Sequence, residues 1–293
     1  MKKILAAAMG AALSFGASAA PATSLPPGPI YLKFSGQEQI AVNGATTYAG
    51  TKEINWGVFL VSTLEVGSVN TPHDQIDPTG DIFFVSGQKN GADKGGQITG
   101  MFYGIEAGTP SGINPQTGQS LNPFPATKGY MDLYWRDLNT MTKTTLAGSA
   151  AGVRCGFDCA NGYTQGTFLG RLFFDTGMDI GNPTNTIVGS STPSSNGFSG
   201  QADSYASVDT SVKGLWTDQL NSDYFSNYLG LRDLRFKNSY NYNPNWSNGA
   251  NILGARVDDP GQAYALPEPG ALSLMGLAMV GMGAVLRRRQ KQA

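Results

Sequence analysis

Charge is scarce in this chain. Of 293 residues only 14% are charged, with 20 lysines and arginines against 21 aspartates and glutamates. An average soluble domain carries about 25%. A coiled coil, a helical repeat array or a basic nucleic-acid binder each needs more charge than this. Histidine occurs once, at His73, and cysteine twice, at Cys155 and Cys159. One chain therefore cannot build a histidine-rich metal centre or a four-cysteine zinc site. Glycine is plentiful, at 39 residues, alongside 16 prolines. Hydrophobic residues reach 40% and aromatics 10%, enough to bury a core.

The two ends are the most specific part of the sequence. Lys2 and Lys3 precede an apolar run from Ile4 to Leu13, followed by small residues. A basic start, a short apolar segment and an Ala-x-Ala site form the pattern of a secretory signal peptide. Ala17 and Ala19 supply the small residues that signal peptidase requires, which places the cut after Ala19. At the other end, Leu266-Pro267-Glu268-Pro269-Gly270 leads into an uncharged segment, 271–286, and then Arg287, Arg288 and Arg289. As a helix that segment would reach about 24 Å. A hydrocarbon core is about 30 Å thick, and flanking arginines can snorkel across the difference. Arginines directly after the span hold that end in the cytoplasm. The exported start then lies outside, so both ends imply one topology.

Pro-Glu-Pro, a short Gly/Ala/Leu/Met-rich span and a terminal arginine cluster, in that order, resemble the PEP-CTERM sorting signal. The match covers roughly residues 266–293. The resemblance implies processing by an exosortase, an inner-membrane cysteine transpeptidase, and a Gram-negative source that makes exopolysaccharide. The approach from Asp258 to Leu266 is similar to that of flocculation-associated proteins with this signal. What the resemblance implies is an exported protein. It would begin as an inner-membrane-anchored precursor and end at the cell surface or in the extracellular matrix, acting in biofilm or floc formation. It implies sorting, not the activity of the body.

Three parts follow: a signal peptide (1–19), an exported body (20–265) and a sorting tail (266–293). The body holds 14 basic and 20 acidic residues, a balance of −6. Such a surface does not attract nucleic-acid phosphates. Strand patterns dominate it. Ile54, Trp56, Val58, Leu60 and Leu64 share one face, with Phe59 and Val61 on the other, which predicts a strand buried on both sides. Residues 81–85 and 98–105 read as strands. Met131, Leu133 and Trp135 alternate with Asp132, Tyr134 and Arg136, and Thr167–Asp175 alternates likewise; Tyr205–Val212 is weaker. One helix is expected from Thr217 to Gly230, with Leu220, Tyr224 and Tyr228 at i, i+4, i+8. The Gly-, Pro- and Ser-rich connections 107–127 and 181–204 read as surface loops. The expected fold is mainly β, an antiparallel sandwich-like domain with one short helix near its C-terminal end. To that the ends add a signal peptide and a transmembrane helix.

No catalytic constellation stands out. In an oxidising compartment Cys155 and Cys159 are expected to close a short disulfide loop, worth at most about 2 kcal/mol. Asp175-Thr176-Gly177 and Asp209-Thr210-Ser211 have the flavour of aspartic-peptidase turns, but the second lacks glycine and the pair is too close in sequence. His73 has no Gly-x-Ser-x-Gly elbow to serve. No cofactor is expected; loop carboxylates Asp74, Asp77 and Asp81 leave calcium open. Tyr240, Tyr242 and Trp246, interleaved with asparagines, could stack on sugar rings, so exopolysaccharide is a candidate partner. A structural matrix protein is the first expectation. A secreted carbohydrate-binding module or hydrolase with the same tail is the alternative.

Overall fold

A computed structural model describes residues 24–41, 52–88, 95–113, 116, 120–122, 125–146, 162–194, 197–247, 252–268, 279 and 282. Fourteen strands dominate them. In chain order these are β1 (Gly28–Ala41), β2 (Glu53–Val69), β3 (Ile76–Val85), β4 (Gly96–Ala107), β5 (Ser111–Ile113), β6 (Ser120–Asn122) and β7 (Ala126–Asp137). Then come β8 (Thr167–Phe174), β9 (Ile187–Ser194), β10 (Gly197–Val208), β11 (Phe225–Asn227), β12 (Gly230–Arg232), β13 (Leu234–Tyr242) and β14 (Ile252–Ala265). A single helical turn, α1 (Thr217–Leu220), follows β10, and a 3-10 turn spans Pro244–Trp246.

The main sheet closes on itself. Round the ring the neighbours are β1, β2, β4, β7, β8, β10, β13 and β14, every pair antiparallel. The last strand then pairs with the first, from Gly28 opposite Ala265 to Ala41 opposite Ile252. This is an up-and-down barrel of eight staves. The expected sandwich is thus corrected: there is one large sheet, not two packed ones. Alternation along a strand is the same in both architectures, so the pattern alone does not separate them.

Two staves are composite. Glu53–Val61 of β2 pairs with β4, and Thr63–Val69 with β3. Along β10, Ala206–Val208 pairs with β8 and Gly197–Ser204 with β9. Register shifts at Lys33/Phe34, Leu64/Glu65 and Leu133/Tyr134 mark the bulges that bend a sheet into a cylinder. Ile30, Leu32 and Phe34 of β1 point inward and are buried, while Lys33, Ser35 and Gln37 point outward. On β10, Ala206 and Val208 point inward and Gln201, Asp203 and Tyr205 outward. On these two strands the inner registers are apolar and the outer registers polar.

One end of the barrel is plugged. Leu25, Trp216 and Leu220 join the core there, and the Trp216 amide donates to the Leu169 carbonyl. The Gln219 side chain accepts from the Leu25 amide (3.1 Å) and donates to its carbonyl (3.0 Å). The Leu266 amide donates to the Gln219 carbonyl (2.7 Å), so the chain before β1 and the chain after β14 are tied to α1.

Several sequence expectations change. The helix is four residues long. Beyond it, Tyr224 stacks on Tyr264 (4.6 Å between ring centres), and Phe225 is drawn into the core at the start of β11. The connections 107–127 and 181–204 contain strand: β5, β6, β9 and the first half of β10. Their glycines and serines have low strand propensity, but ring closure supplies partners that override it. In β2, Phe59 and Val61 face the core, whereas Ile54, Val58 and Leu60 are only half-buried. Among the described residues no helix is long and apolar enough to cross a membrane. Segment 271–286 lies outside them except for Met279 and Met282.

Candidate functional site

An eight-stranded barrel is just wide enough either to be filled by side chains or to hold one small ligand. Side-chain size decides, and here it changes along the axis. In the plugged half the interior takes Leu32, Leu64, Ile98, Leu133, Trp135 and Leu172. In the other half the wall made by β9 and β10 presents Gly189, Ser191, Ala202 and Ser204. These small residues leave a cavity of about 710 Å³. Its floor is Phe34, Phe102, Met131 and Phe174. Ligand sites of this size, mostly apolar with a few placed polar groups, lie within the usual range of about 300–1,000 Å³.

The polar groups come from three strands. Glu38 occupies the next-but-one inward register after Phe34 on β1, and it is only 7% exposed. Asn55, paired through the backbone with Ile40, turns its amide nitrogen to Glu38 Oε1. That bond fixes the amide's orientation, because a carboxylate oxygen can only accept. Glu38 Oε2 and Asn55 Oδ1 are then buried without partners, as is Asn238 Oδ1 from β13. All three residues line the cavity. Burial pushes the Glu38 carboxyl up to about 7 from the usual 4.5, with the Asn55 hydrogen bond opposing. Buried polar atoms are ordinarily satisfied, so three orphans on one cavity wall need an explanation.

Tyr240 completes the wall. Its hydroxyl donates to the Ser190 carbonyl (2.7 Å). Its ring lies over Gly200, its direct partner on β10, where an added Cβ would come within 2.4 Å of the ring. Phe198 packs against both Tyr240 (6.0 Å) and Tyr242 (5.4 Å). Among the described lining residues Glu38 is the one carboxyl, and there is no histidine, cysteine, lysine or arginine. The arrangement offers apolar surface and hydrogen-bond acceptors, the chemistry of holding a molecule.

Tyr240 and Tyr242 share a face, as the alternation predicts, but the expected aromatic row does not extend to Trp246. Trp246 is 4% exposed and lies on the outer side of the barrel. There Gln39 donates to its carbonyl (3.1 Å) and accepts from the Trp56 indole (2.9 Å). His73 Nδ1 lies 2.7 Å from the Tyr224 carbonyl, a loop contact away from the cavity. Asp74 pairs with Arg235 (3.4 Å), and Asp77 accepts from Asn70 and Gln75. Among the described residues no three His, Cys, Asp or Glu side chains converge as a metal site would. Asp175 accepts from Ser207 (2.6 Å) and sits near Arg232, whereas Asp209 holds Ser211. Pro267 and Glu268 are exposed and outside any helix or strand. Ala17, Ala19, Cys155, Cys159, Pro269, Arg287, Arg288 and Arg289 lie outside the described residues.

Glu38, Asn55 and Asn238 are absent from the sequence reading. The signal for Glu38 is there: Ile30, Leu32, Phe34, Gly36, Glu38 and Ile40 form one alternating face, and only one of them is charged. A carboxyl in an inward register is either paired or functional. Asn238 gives no such signal, since Asn is common in exposed turns. Comparison with protein-family models, curated proteins and solved structures finds no match for the chain.

Proposed function

We propose that the chain is an exported protein sorted by its C-terminal tail, and that its barrel is a binding module for a small, mainly apolar molecule. The cavity carries this reading: about 710 Å³ of apolar space, lined by small residues on β9 and β10, with three unpartnered acceptors. Fold alone does not assign function, so the weight rests on that site. The sorting half rests on the Pro267-Glu268-Pro269 motif and the segments around it. Exposure of Pro267 and Glu268 directly after β14 suits a peptide that a membrane-embedded exosortase must grip. The protein then serves at the cell surface or in the exopolysaccharide matrix, in biofilm or floc formation. A sugar-binding role draws support from Phe198 and Tyr242 beside the cavity.

The test has two arms. Small molecules extracted from the protein as purified from its exporting cell are identified by mass spectrometry, for the wild type and for Ala202→Phe. The binding reading expects an apolar compound that the variant lacks; extracts that are identical, or empty, count against it. In the second arm, alanines replace Pro267, Glu268 and Pro269. Accumulation of an unprocessed precursor and weaker cell aggregation are expected, and normal processing would remove the sorting argument.

A further inference from the structure

Among the described lining residues, the buried polar atoms left without a partner are all of one kind. With Glu38 ionised, Glu38 Oε2, Asn55 Oδ1 and Asn238 Oδ1 accept hydrogen bonds, and the Tyr240 hydroxyl is already engaged by the Ser190 carbonyl. Glu38 and Asn55 are joined by their own hydrogen bond, so their free oxygens belong to one acceptor cluster. Among the described residues, the groups facing Glu38 carry no compensating charge. Its register partners are Gly57 on β2 and Ala255 on β14, and the titratable neighbour across the cavity is Tyr240. A wall with one carboxylate, amide oxygens and no cation has a negative potential in a medium of low dielectric.

Resting on the reading of the cavity as a binding site, we propose that its ligand is an amphiphile with an apolar chain and an ammonium headgroup held by Glu38 and Asn55. An ammonium has three N–H donors and no acceptor, which matches a cluster made only of acceptors. It also neutralises the buried carboxylate, which a hydroxyl cannot do. A fatty acid is disfavoured by the same argument, because a second carboxylate beside an ionised Glu38 is repelled. The ligand's apolar chain lies on Phe34, Phe102, Met131 and Phe174, where removing its methylenes from water favours binding.

The experiment uses the full chain, with Nile red, a neutral apolar dye, as the reporter. Dodecylamine, dodecanol and dodecanoate compete for it at slightly alkaline pH, each below its micelle concentration. The expected order is amine, then alcohol, then acid, with the amine displacing the dye at about tenfold lower concentration than the alcohol. Glu38→Gln should erase the preference for the amine while the alcohol still competes. Equal displacement by all three, or a preference that survives Glu38→Gln, overturns the headgroup inference and leaves the binding reading standing. Failure of Nile red to bind, or binding that Ala202→Phe does not alter, overturns the binding reading and the inference with it. Should Glu38→Gln not fold, Asn55→Ala reads the same preference, with a smaller loss expected.

Discussion

Asn55 turns its amide nitrogen toward Glu38, and one oxygen of each residue stays buried beside the cavity with no donor to accept from. The pair is oriented but not satisfied. Its consequences can be measured without knowing the ligand.

The first is a pH dependence of unusual sign. Below pH 4.5 both the folded and the unfolded chain keep the Glu38 proton, and the group does not affect stability. Between 4.5 and about 7 the unfolded chain releases that proton while burial makes the folded chain retain it, so stability falls as pH rises. The loss is complete above about pH 7 and amounts to at most about 3 kcal/mol. Denaturant titrations across this window should show the decline in wild type and a flatter profile in Glu38→Gln. Parallel profiles for the two proteins would mean that Glu38 is not buried in the way described.

The second concerns the small-residue wall. Ala202 pairs with Asn238 on one side and Gly189 on the other, and its side chain faces the cavity. Phenylalanine there occupies space that is otherwise empty. Dye affinity should drop about tenfold or more, equivalent to about 1.4 kcal/mol. Stability should change by less than about 1.5 kcal/mol, because no well-packed neighbour is displaced. Unchanged affinity would place the dye elsewhere.

The third lies on the outer face. Arg171 Nε and Nη2 donate to the two oxygens of Asp132 (2.7 and 2.9 Å), and Asp132 is 1% exposed. Tyr103 and Tyr134 crowd the same carboxylate, and burial together with that charge pushes both phenols up. Arg171→Met strands a buried charge and should cost about 3 kcal/mol in denaturant unfolding. Adding Asp132→Val to it should recover most of the loss. A double variant no better than the single one would show that packing by the guanidinium, not charge, is what matters.

The fourth tests the plug. Trp216 is buried among Leu25, Leu169 and Leu220, and its backbone amide donates to the Leu169 carbonyl (2.7 Å). Trp216→Ala should destabilise by about 3–5 kcal/mol. Amide exchange should accelerate first at Leu25 and Leu266, the two residues tied to α1. Exchange that rises evenly round the barrel would argue against a separable plug.

Much of the wall was readable in the sequence. Met131, Leu133 and Trp135 alternate cleanly, and all three face the core. The region 181–204 was not, because Gly189, Ser190 and Ser191 look like a linker; they become strand only when β10 lies beside them. Leu220, Tyr224 and Tyr228 have helical spacing, yet the stacking of Tyr224 on Tyr264 and the burial of Phe225 outweigh a local preference worth a few tenths of a kcal/mol per residue. The cavity depends on which small residues meet across strands distant in sequence. That is a property of register, and no single segment contains it.

Gly28 and Ala265 sit side by side where the ring closes, at the plugged end. The described chain therefore enters and leaves the barrel at the same pole, next to α1. Whatever is joined to either end of the barrel is thus joined at the plugged pole, and the cavity's half of the barrel carries neither connection.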